Sequence, residues 1–104
     1  MIEQIFHLSK TTEKTVEKLI MDENIHYLHP VLPQGEFMPR HISNANVYMT
    51  VLQGTLTIEL GEQEAHDYET GTVLKIPINT PMHFGNTHEA LLELAIVKAP
   101  APGK

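Results

Sequence analysis

The chain of 104 residues has no cysteine and no tryptophan. The lack of cysteine excludes disulfides, thiolate metal ligands and a cysteine nucleophile. It suits a reducing compartment, and the cytoplasm is the expected location. Positive charge is scarce: 7 basic residues stand against 13 acidic ones, for a formal net charge of -6. The basic residues Lys10, Lys14, Lys18, Arg40, Lys75, Lys98 and Lys104 are scattered, so no patch tracks a phosphate backbone and no nucleic-acid partner is expected. Long apolar runs are also missing, which excludes a membrane-spanning helix. The opening Met1 to Lys10 lacks the basic-then-apolar order of a signal peptide. There is no Gly-rich phosphate loop, and Ser9 and Ser43 lack the context of a nucleophile elbow.

What the chain does have is period-two alternation. In Thr55-Leu56-Thr57-Ile58-Glu59-Leu60 apolar and polar residues alternate, as in a half-buried strand. Val47 to Leu52 is β-branched and aromatic, a second strand, and Gln53-Gly54 between the two predicts a tight hairpin turn. Further strands are expected at Ile2 to Leu8, Val16 to Met21, Ile25 to Leu32, Val73 to Ile76 and Ala90 to Val97. Val16, Leu19 and Ile20 would share a helix face, but the β-branched residues of Thr12 to Met21 favour a strand. Turn signals such as Asp22-Glu23-Asn24, Glu69-Thr70-Gly71 and Asn79-Thr80-Pro81 separate these runs. Short strands at this spacing predict an all-β sandwich or barrel. The length fits one domain with a single core.

Gly35-x5-His41 is followed by Gly54, and then by Gly71-x5-Pro77 and Asn86. This pattern resembles the two motifs of the cupin superfamily, in its small single-domain form with degenerate metal-binding motifs. The resemblance covers residues 25 to 97, and Gly35, Gly54, Gly71, Pro77 and Asn86 all match in spacing. It implies a double-stranded β-helix, or jelly-roll, barrel. Residues 1–24 are then N-terminal strands that pair at an edge or with a second chain, 25–97 the core barrel, and 98–104 a Pro-rich tail that frays. An N-terminal edge strand needs covering, and a homodimer is expected from it.

The resemblance also implies four metal ligands, three histidines and a glutamate. Here they fall on His41, Ser43, Val47 and Met82, so one ligand survives. Serine is a poor neutral ligand, valine is none, and methionine prefers soft copper. No cofactor is expected from the motif's own positions. A divalent transition metal would need relocated ligands, and the candidates are His41 with His83 and either His26 or His29. His83 lies one residue past the ligand position, which in a regular strand turns it to the opposite face.

The expected pocket consists of His41, Ser43, Val47, Met49 and Met82, with Val47, Met49 and Val51 on the inward face and Tyr48 outward. Arg40 is expected to be solvated at a strand end, or else to hold a substrate carboxylate. The leading reading is a small-molecule-binding protein with an apolar barrel pocket and no typical metal centre. The alternative is a metal-dependent or metal-free isomerase, epimerase or dioxygenase on a small oxygenated substrate, with His41 as ligand or base. A third is a structural or regulatory domain with a filled barrel.

Overall fold

A computed structural model describes residues 1–103. Its strands are β1 (Thr15–Met21), β2 (His26–Leu32), β3 (His41–Ile42), β4 (Asn46–Gln53), β5 (Thr55–Leu60), β6 (His66–Glu69), β7 (Val73–Ile76), β8 (Pro81–Gly85) and β9 (Leu92–Ala99). A five-stranded sheet runs in the order β1-β2-β9-β4-β7, and a four-stranded sheet runs β3-β8-β5-β6. All pairings are antiparallel. The two sheets face each other as a jelly-roll barrel, the all-β fold expected from the motif spacing.

The alternation of apolar residues places the core between the sheets. Val47, Met49 and Val51 on β4 are 1%, 0% and 1% exposed, and Tyr48 between them is only half-buried. Leu56 and Ile58 on β5, Met82 and Phe84 on β8, and Leu92, Leu94 and Ile96 on β9 complete one cluster. A strand points alternate side chains to opposite faces, so each strand supplies one inward set and one outward set.

The chain changes sheet at Gly54, where the sequence predicts a hairpin. β4 and β5 lie in different sheets and do not pair. The backbone turns a corner there, with φ of 79°, and a Cβ would sit 2.4 Å from the Leu91 carbonyl oxygen. Only glycine fits both conditions. Asn79, in the turn before β8, also has a positive φ, 67°. Asparagine is the non-glycine residue that tolerates this region best.

Asn86 is fully buried and satisfied on every side. Its Nδ2 donates to the carbonyls of Leu32 (2.9 Å) and Ala90 (2.8 Å), and its Oδ1 accepts from the His88 amide (2.9 Å). Its backbone pairs with Glu36 O and Gly35 N at 3.0 and 2.8 Å. Through its side chain and backbone together, this one residue ties the end of β2, the crossover of residues 33–40 and the loop into β9.

The N-terminus differs from expectation. Ile2 to Leu8 forms no strand, because a strand needs a ladder partner and this segment finds none among the described residues. It is held at its end instead: the Ser9 amide donates to Glu17 Oε1 at 3.0 Å, and Lys14 pairs with Glu36 at 3.2 Å. The C-terminus departs as well. Lys98 and Ala99 belong to β9, in register with Val47 and Asn46 of β4. Ala101 is buried and its amide donates to Asn24 O at 2.9 Å, so the expected fraying does not begin at residue 98. Lys104, the last residue of the expected tail, lies outside the described residues.

Replacing Asn86 by alanine strands two carbonyls and one amide at a buried junction. The expected loss is about 3 kcal/mol in chemical denaturation. A loss below about 0.5 kcal/mol would show that water replaces the side chain.

Candidate functional site

The inner face of the five-stranded sheet builds the site row by row. Residues opposite one another in an antiparallel pair share a face. Val47 on β4 lies opposite Ile76 on one side and Lys98 on the other, and Lys98 lies opposite His26 on β2. The next row holds Leu28, Ile96, Met49 and Leu74. Val47, Met49 and Ile76 are buried, so both rows face the barrel interior.

Against these rows lies a cavity of about 70 Å³. Its floor includes Val47, Met49 and Ile96, and its opposite wall is Met82 and Phe84 from β8. Val16, Leu28, Pro30 and Met38 close the sides. The polar lining consists of two residues only, His41 and Lys98.

His41 Nδ1 lies 3.0 Å from the Pro39 carbonyl oxygen. A carbonyl only accepts, so Nδ1 donates, and in the neutral ring Nε2 is left as an acceptor. The ring meets Phe84 edge-on, with centroids 6.1 Å apart. Lys98 carries the opposite capability. Its ammonium is half-buried among apolar groups, and this burial pushes its pKa down from the usual 10.5. No carboxylate pairs with it among the described residues.

The expected pocket is assembled in part. His41, Val47, Met49 and Met82 all line the cavity, as does Met38. Ser43 does not: it is buried past the end of β3, where its Oγ accepts from the Ala45 amide at 3.2 Å. Lys98 is absent from the expected pocket, because the expected strand ends at Val97. The signal is present in the sequence, since Leu92, Leu94, Ile96 and Lys98 continue one inward alternation.

The histidines considered for a relocated metal site do not converge. His83 lies on the outer face of β8, its ring 5.0 Å from that of Phe37. His26 shares the row of Lys98 but stands outside the cavity lining. His29 points out of the barrel, buried between Glu17 (Nδ1 to Oε1, 3.1 Å) and Glu93 (Nε2 to Oε1, 2.9 Å). Among the described residues no group of three or more histidines and carboxylates is placed to hold a metal ion. The four family ligand positions, His41, Ser43, Val47 and Met82, offer one usable donor and so do not fit a divalent ion. Arg40 is also outside the site: it is exposed and bonds Glu59 Oε1 at 3.2 Å and Gly61 O at 3.1 Å.

No family model matches the chain. A protein of Methanocaldococcus jannaschii, itself described only as uncharacterized, is 39% identical over 105 residues, covering 100% of this chain and 90% of its own. The 1.70 Å crystal structure of an RmlC-like cupin family protein with a double-stranded β-helix fold, from the same organism, is also 39% identical. It superposes with a TM-score of 0.93 over 98% of this chain and 94% of its own. The chain belongs to the RmlC-like cupin family. More distant likenesses support the fold alone. A protein of Thermus thermophilus gives a TM-score of 0.78 at 21% identity, covering 86% of each chain. A cupin superfamily protein of Desulfitobacterium hafniense gives 0.76 at 12%, covering 89% of this chain and 83% of its own. As expected from the apolar runs, no helix among the described residues is long and apolar enough to cross a membrane.

The outer array around His29 predicts a pH response of this cupin. The Ser9 amide holds the Glu17 carboxyl below its usual 4.5; burial opposes it, and the His29 ring adds smaller downward contributions. A lowered carboxylate pKa contributes stability that is fully present above the unfolded value. It is lost as pH falls through the folded value. The denaturation midpoint is therefore expected to fall as pH drops below the usual carboxylate value of 4.5, and Glu17→Gln to flatten part of that fall. Parallel curves for the two proteins would refute the coupling. Asp22 and Asp67 are shifted the same way and remain in both.

Proposed function

We propose that this cupin is a small-molecule-binding protein that holds one small, partly apolar molecule in the barrel mouth, without a typical metal centre. The observation that carries this reading is the cavity itself. It is apolar on nearly every wall, and its polar groups are limited to His41 and Lys98. Ligand sites of this kind combine an apolar lining with a few placed polar groups that set orientation. A filled barrel would offer no such space. At 70 Å³ the cavity takes a small occupant, since one water needs about 10–15 Å³ measured this way. Roughly five heavy atoms fit inside, with the remainder of a ligand outside the mouth.

We also propose that the protein is cytoplasmic and that it pairs as a homodimer. The support for pairing is the arm before β1. Ile2, Ile5 and Phe6 are 102%, 57% and 44% exposed, in a segment that finds no ladder partner among the described residues of its own chain. A second copy would cover these apolar side chains and supply the missing edge.

Val16 is half-buried at the sheet edge and lines the cavity, so Val16→Phe is expected to plug the mouth with little strain on the core. Small branched alcohols and acids should shift the methyl NMR signals of Met49 and Met82 in the natural protein and not in the variant. Unmoved signals in the natural protein at saturating probe would overturn the pocket reading. Light scattering should give twice the 11.7 kDa chain mass, and removal of residues 1–8 should halve it. A natural chain that stays monomeric at high concentration would refute the pairing.

A further inference from the structure

We infer that the cavity selects a short-chain carboxylate, with the Lys98 ammonium as its counter-charge and His41 as a second polar contact. This rests on the pocket reading above and adds the chemical class of the occupant.

The charge around the cavity differs in sign from the charge of the molecule. The chain carries a formal net charge of -6, yet no residue lining the cavity is acidic. The groups that face Lys98 from the neighbouring elements are basic or apolar. His26 lies opposite it on β2, Val47 lies opposite it on β4, and His41 shares the cavity wall. The acidic residues of the same strands are turned away. Glu93 on β9 and Glu17 on β1 both point to the outer face, where they bond His29.

A half-buried ammonium with no partner is an unfavourable arrangement. Burial removes hydration, and no carboxylate among the described residues replaces it. Lys14 pairs with Glu36, Arg40 with Glu59 and His88 with Asp67, and Lys10, Lys18 and Lys75, which pair with no carboxylate among the described residues, are exposed to water. Lys98 has no such partner among the described residues either, and its depressed pKa records that desolvation without a counter-charge. An incoming carboxylate supplies the missing charge, and a charge-assisted bond is about twice as strong as a neutral one. The apolar walls at Met49, Met82 and Phe84 accept the hydrocarbon part. The volume limits that part to a few carbons inside the barrel.

Isobutyrate and isobutyramide test this, since they match in shape and differ in charge. Affinities are read from methyl NMR titrations of the full chain, with sodium chloride at equal ionic strength as the blank. Isobutyrate is expected to bind about tenfold tighter than the amide. In Lys98→Met the two should bind alike, while Lys98→Arg should keep the preference for the acid. Equal affinities in the natural protein would overturn the carboxylate assignment and leave the pocket reading standing. A preference that survives in Lys98→Met would assign the anion to another group and also overturn it. If neither probe moves Met49 or Met82, the pocket reading falls and this inference falls with it.

Discussion

The barrel depends on a buried asparagine that bonds three stretches of backbone at once. Asn86 meets Leu32 O, Ala90 O and the His88 amide through its side chain, and Glu36 and Gly35 through its backbone. These contacts lie where the chain leaves one sheet and enters the other. A jelly roll changes sheet repeatedly, and each change leaves carbonyls and amides with no ladder partner. Asn86 satisfies several of them with one side chain, and an amide can do so because it carries donors and an acceptor together. Phe37 bridges to Gly85 beside it, so the crossover of residues 33–40 is clamped to the end of β8.

The features of the fold legible in the sequence are those set locally. Gly54, Gly71 and Pro77 serve corners and strand ends, and those demands fix the residue type wherever they occur. The alternation of Val47, Met49 and Val51 states which face is inward before any partner strand is known. Pairing is not local. Gln53-Gly54 carries the residues of a hairpin, but whether β4 pairs with β5 depends on strands distant in the chain. β9 pairs with β4 along its whole length, with β7 on the other side, so β5 must go to the opposite sheet. The strand β6, His-Asp-Tyr-Glu, has almost no apolar signal and is held by its ladder to β5. β8 is opened by Pro81 and closed by Gly85, so its local signal is that of a loop.

The site is legible to the extent that it belongs to the barrel pattern. Met49, Val47 and Met82 are inward for the same reason as the rest of the core. Ser43 enters the expected pocket only through its position in a metal motif. Its hydroxyl instead accepts from the Ala45 amide, a local contact that the barrel pattern does not announce. Lys98 is hidden by the Pro-rich tail that follows it. A strand can run to the residue before a proline, because that residue favours the extended region. Ala99 occupies that place and carries β9 past Lys98.

An inward lysine and a divalent ion on the same wall oppose one another physically. A divalent ion in the barrel would repel an ammonium on the same wall, and the ammonium would stay unpaired. With three of the four ligand positions occupied by Ser43, Val47 and Met82, that repulsion is gone and the barrel mouth becomes apolar. Lys98 brings one unit of positive charge to that wall. His41 remains from the family pattern, but its Nδ1 is bound to Pro39 O and its ring rests on Phe84, which orients Nε2. The cavity wall thus presents two polar side chains, His41 and Lys98, in an otherwise apolar lining. Among the described residues it does not gather the several ligands that Lewis-acid chemistry requires of a protein.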